Sequence, residues 1–248
     1  MRTLTFPVIS LGSELPKFPK ADALADWVKS RYGKESDIIS WAVEETVKEQ
    51  KEFVAFPSAA GEFYRKRIED ALSDDFSFDM KAVSDDVETV RRYFKDCRWS
   101  LPSPLSFTNS KKDDDADDVI NAFSKFFREM RDDGISGHIL LSDNPEDIEL
   151  EEFSSRKFLW VTPSSKIEMI LERSRDIIID SKDIGLLEDL FDSYNIRYVY
   201  VKDADSASLM KTLEMFDADY VCVCGTAPCD DVADYWKKLS EVSVEMGL

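Results

Sequence analysis

The strongest constraint on the fold is a regular alternation in the second half of the chain. Short β-type runs stand at 138–142, 157–161, 176–180, 197–201 and 219–224, separated and followed by helical stretches at 165–173, 184–194, 206–216 and 230–244. Three of the runs are almost unbroken apolar: Ile177-Ile178-Ile179, Tyr198 to Val201, and Tyr220 to Val223. Strands read this way when crossover helices cover both of their faces. Repeated strand–helix units with short connections imply right-handed crossovers and a mostly parallel sheet. The expected fold is therefore α/β, with a Rossmann-like, five-stranded domain over 119–248.

The first hundred residues read differently. Leu24, Trp27, Val28 and Tyr32 share one helical face, and Ile38, Trp41 and Ala42 continue the period into a second helix. Phe63, Tyr64, Ile68 and Leu72 suggest a third, and Val87, Val90, Phe94 and Cys97 a fourth, with Gly33 and Pro57 as punctuation. The segment 6–10 reads as an isolated strand in a proline-bearing arm. These patterns predict a helical N-terminal domain over 1–100. A linker over 101–118 follows, with Pro102, Pro104 and an acidic run that ends at the N-terminus of a helix over 119–130.

Charge is divided unevenly. Residues 1–110 hold 16 basic and 19 acidic side chains, whereas 111–248 hold 16 and 32. The acidic half repels phosphate backbones, which argues against general nucleic-acid binding and points instead to a basic protein partner or a small-molecule ligand. Arg65, Lys66, Arg67, Arg91, Arg92, Lys95 and Arg98 lie among Tyr64, Tyr93 and Trp99, a mixture suited to nucleotides. Glu62, Glu69, Asp70 and Glu88 dilute that patch. Four cysteines are too few for a disulfide scaffold, and neither a signal-type leader nor a membrane-length apolar run occurs, so a cytoplasmic location with no membrane role is expected.

Several chemistries lack their signatures. No Gly-x-Gly-x-x-Gly and no P-loop occurs, so there is no NAD or ATP fingerprint. His138 opens a strand, opposite the carboxyl edge where ligands of parallel sheets gather. Cys222 and Cys224 alternate onto one face as small apolar residues, and Cys229 stands beside Asp230 and Asp231, which oppose a thiolate.

Carboxylates and hydroxyls dominate the segments after the strands: 142–145, 162–166, 181–183, 202–206 and 225–229. Asp143, Asp180 and Asp203 each follow or end a strand and supply the hard oxygen ligands that Mg2+ or Mn2+ requires. Thr162, Ser164 and Ser165 form an expected anion cradle, with Ser165 and Glu168 as a capping box, and Lys182 and Thr226 complete the candidate ligand-binding set. The primary functional expectation is a two-domain binding or regulatory protein with its site at the carboxyl edge of the sheet, facing the helical domain. The alternative is a divalent-metal enzyme acting on a phosphate-containing small molecule. Nucleic-acid binding through the basic helices is the third.

Overall fold

A computed structural model describes residues 2–31, 34, 36–108 and 116–246. Gly33, Tyr32 and the 109–115 portion of the expected linker lie outside the described residues. The strands are β1 (Arg2–Thr5), β2 (Val8–Ser13), β3 (Ser58–Ala60), β4 (Arg98–Pro102), β5 (Gly137–Leu141), β6 (Phe158–Val161), β7 (Asp176–Asp180), β8 (Tyr198–Lys202), β9 (Val221–Ala227) and β10 (Ser243–Met246). Helices α1 (Ala21–Ser30) and α2 (Ile38–Lys48) follow β2, and α3 (Arg65–Ala71) and α4 (Lys81–Arg91) follow β3. One helix follows each later strand through β9: α5 (Ala116–Asp132), α6 (Asp147–Glu152), α7 (Ile167–Leu171), α8 (Leu186–Phe191), α9 (Ser206–Leu213) and α10 (Val232–Ser240).

The parallel α/β expectation holds, but the strand count and the partition do not. Two four-stranded parallel sheets run in the orders β2-β9-β8-β7 and β3-β4-β5-β6. They meet at both ends. The Phe56 and Ala55 N–H groups, just ahead of β3, both donate to the Val8 carbonyl, and the Ser10 N–H returns to the Phe56 carbonyl at 3.1 Å. At the other seam β6 lies beside β7. Eight strands in chain order thus close into a ring, with helices outside: a (β/α)8 arrangement. Strands β2 and β3 and the first part of β4 come from the first hundred residues, and β4 pairs with β5 along five residues. The expected helical domain therefore supplies β2, β3 and the start of β4, and the linker expected from 101 begins inside that central strand.

β3 and β4 escape the periodicity because small or polar residues, Ser58, Ala59, Ala60 and Ser100, occupy much of their length. A Cβ on Gly12 would come within 2.8 Å of both the Ala60 carbonyl and the Ser100 side chain. Ser10, Ser13, Ser58 and Ser100 are buried there, and the Ser100 hydroxyl donates to the Leu11 carbonyl at 2.7 Å. Strand β3 is only three residues long. Fully buried Gln50 completes it: its amide donates to the Ser58 carbonyl at 2.8 Å and accepts the Ser58 N–H at 3.0 Å.

From β5 to β9 alternation divides the side chains cleanly. Ile139, Leu159, Ile178, Tyr200, Cys222 and Cys224 point inward and join Ile9 and Leu11 in the inner core. Val199, Val201, Val221 and Val223 point outward beneath α8–α10, while Leu140, Phe158 and Trp160 pack under the aromatic face of α5, which carries Phe123, Phe126 and Phe127. β1 and β10 form a separate antiparallel ribbon, whose Leu4 and Val244 join the outer core beneath α9 and α10.

Two measurements check this packing. A Cβ at Gly61 would sit 2.1 Å from the Ser13 carbonyl oxygen, so Gly61→Ala must force β2 and β3 apart. Urea unfolding should show a loss of at least about 2 kcal/mol; an unchanged midpoint would contradict the β2–β3 seam. Burial pushes the Cys97 thiol up to about 12, Cys222 up to about 11, and Cys224 well above its ordinary value. Only half-buried Cys229 should therefore react with Ellman's reagent before unfolding, giving one thiol per native chain at pH 8 and four in denaturant.

Candidate functional site

Ligands of such rings are taken at the carboxyl ends of the strands. Two groups of polar side chains meet there. The first lies on β7 and β8, where Asp180 and Lys202 are register partners at the last residue of each strand. Alternation places both inward, in line with Ile178 and Tyr200 of the inner core. The Lys202 ammonium sits 3.5 Å from the Asp180 carboxylate, with the two side chains 28% and 29% exposed. Among the described residues, the ammonium meets no other ionic or hydrogen-bonding partner. Beneath the pair is the apolar inner core, and fully buried Cys224, the register partner of Lys202 on β9, stands beside it. Inward-pointing, half-exposed and of opposite sign, the pair offers an anion one cation and a hydroxyl or ammonium one acceptor.

The second group is a cavity of about 380 Å3 beyond β4 and β5, lined by Arg65, Ser103, Ser106, Asp143 and Asn144 among others. Leu141 links it to the mouth of the ring, because this residue lines the cavity and also packs on the inner core. Arg65 is held in place: it donates to Glu62 at 2.8 Å and to the Ser106 carbonyl at 3.1 Å, and it stacks over Phe107 at 5.0 Å. Glu149, 1% exposed, forms part of the wall. Its carboxylate accepts the Leu105 N–H at 2.9 Å and the Glu146 N–H at 3.1 Å. Burial nevertheless holds its pKa above the usual carboxylate range.

The expected site residues are distributed otherwise than their sequence positions suggest. Among the described residues no three His, Cys, Asp or Glu side chains converge to hold a metal ion. Asp143 follows β5 and Asp180 ends β7, with β6 between them. Asp203 is one residue beyond inward-facing Lys202, has a left-handed backbone with φ of 49°, and accepts the Tyr235 hydroxyl of α10 at 2.7 Å. The Mg2+ or Mn2+ site expected from these three aspartates is thus not assembled.

The anion cradle is corrected as well. The segment Ser164–Lys166 is a 3-10 turn whose Lys166 N–H is already bonded to the Pro163 carbonyl at 2.8 Å. Ser165 does not cap α7, and the Ser164 hydroxyl donates to Asp183 at 2.7 Å. Lys182 is exposed on the turn after β7, Thr162 is half-buried just past Val161, and Thr226 is half-buried within β9. The basic patch divides too. Arg67 is buried against Asp86 and Asp37, Arg92 pairs with Glu88, and Arg91 donates to the Asp133 carbonyl. Lys202 was the residue missed, although the alternation Tyr198, Tyr200, Lys202 marks it as inward-facing at a carboxyl end.

No family model matches the chain, and no curated protein matches its sequence. Among solved structures, CpGH84B is 8% identical with a TM-score of 0.49, over 94% of this chain and 51% of that one, so this chain spans about half its length. Orotidine 5'-monophosphate decarboxylase of Plasmodium berghei is 10% identical with a TM-score of 0.34, over 95% and 93%.

Proposed function

We propose that this protein binds a small polar molecule bearing a phosphate or carboxylate group at the carboxyl-end mouth of its ring. The observation that carries this reading is the Asp180–Lys202 pair, which points inward above an apolar core and is roughly 30% open to solvent. A pair placed only for stability would gain little there, since partly exposed ion pairs contribute about 0–1 kcal/mol. A ligand anion displaces the carboxylate and takes the ammonium, while Asp180 turns to a hydroxyl or amine of the same ligand. Cavity volumes of about 300–1,000 Å3 suit small ligands, and the adjoining space beyond β4 and β5 lies within that range. The reading keeps the expected small-molecule ligand but draws on neither a metal nor a basic protein partner.

Inorganic phosphate is the simplest probe. Titrated at constant ionic strength, it should raise the melting temperature saturably, because a ligand bound only by the native state stabilises it. Lys202→Met should weaken that response at least tenfold while shifting unliganded stability by no more than about 1 kcal/mol. Asp180→Asn should strengthen phosphate binding by removing the competing carboxylate. Equal stabilisation of parent and Lys202→Met, or collapse of the fold in that variant, would overturn the reading.

A further inference from the structure

The chain contains a single histidine, and its place in the fold is unusual. His138 points outward from β5 and is fully buried under α5, with its ring 4.5 Å from Phe127 and stacked at 5.6 Å on Phe158. Among the described residues neither ring nitrogen has a hydrogen-bond partner, although a neutral imidazole carries one donor and one acceptor. Buried polar groups are nearly always paired, so an orphaned imidazole calls for an explanation.

Its surroundings make the neutral form obligatory. From α5 it faces Arg131, whose Nη1 is itself buried without a partner and whose guanidinium lies 5.7 Å over Phe158. Arg128 and Asp132 act on Arg131 in opposite senses. From β4 comes Trp99, the register partner, whose indole N–H is also unpaired. From β6 come Phe158 and the Lys157 backbone; the Lys157 ammonium is engaged with the Ser136 carbonyl. α6 contributes Phe153, with Glu149 committed to the Leu105 and Glu146 N–H groups and Glu152 to the Ser124 hydroxyl. Burial first, and the charge of Arg131 second, hold the imidazole well below its ordinary 6.5; among the described residues no carboxylate offsets them.

We propose that His138 is an acid-sensitive latch: protonating its ring in mildly acidic solution releases α5 from the ring of strands. The Pro104–Phe107 turn moves with it, because Phe107 packs on Phe123 of α5 at 5.3 Å. That turn includes Leu105 and Ser106 of the rim cavity, so acid would open the wall of that cavity. The direction follows from linkage. The open state takes up a proton near pH 6.5 that the closed state refuses, so opening is favoured progressively as pH falls below that value.

Hydrogen exchange of α5 amides in the full chain, corrected for intrinsic rates, reads the opening equilibrium. Between pH 7.5 and 5.5 opening should increase about tenfold, the factor expected for one group titrating near 6.5 in the open state alone. In His138→Phe the increase should fall below twofold; buried Glu149 and Asp86 titrate equally in both proteins and cancel in the comparison. His138→Leu, which likewise removes the titratable ring, should also hold the increase below twofold. This variant decides the matter should His138→Phe fail to fold. A His138 ring signal that titrates near 6.5 while α5 stays protected, or equal acid opening in parent and variants, would overturn the proposal.

Discussion

Closure of the ring is the constraint on which everything else rests. β2 lies within the first thirteen residues, yet its partner on one side is β9, more than two hundred residues later, with Val8 opposite Val223 and Ile9 opposite Cys224. On its other side it meets β3 through backbone contacts so close that only glycine fits at 61. Neither half of the chain can bury its inward face alone, because the inner core draws Ile9 and Leu11 from the start and Cys222 and Cys224 from the end. Pairing over such separations must follow much of the rest of folding, since loop-closure entropy opposes it until other contacts exist.

Closure also decides which side chains can act together. Inward positions at the carboxyl end converge on one mouth, so Asp180 and Lys202 become neighbours through register alone. Residues in the turns beyond the strands are engaged with the shell: Asp203 accepts the Tyr235 hydroxyl of α10, and Ser164 donates to Asp183 of the next loop. Within the strands, parity separates inward side chains from those that pack under the helices.

The readable part of the sequence was the part with bulky alternation. Ile177 to Ile179 and Tyr220 to Val223 announce strands buried on both faces, and the parallel arrangement follows from the helices between them. β3 and β4 could not be read, nor could the place in the ring of the strand expected at 6–10. Ser58-Ala59-Ala60 has neither length nor branched side chains, and Arg98 to Pro102 carries a charge, a serine and a proline where a strand should show apolar residues. These segments are strands because backbones approach one another closely and because Gln50 supplies hydrogen bonds that a longer strand would make. Sequence periodicity records side-chain burial, not backbone proximity. The same limit affected the site: aspartates ending strands were visible as ligands, but whether β6 separates two of them depends on strand order, which no local pattern contains.

Glu149 has a consequence for the cavity it borders. One buried carboxylate receives N–H groups from the segment after β4 and from the start of α6, tying two successive rims together from within. The wall is thus stiffened before any guest arrives, and little chain entropy is left to lose when one enters. For the small ligand we propose, selectivity would come from shape and from a few fixed dipoles, with molecules that already match the outline favoured over those that must mould it.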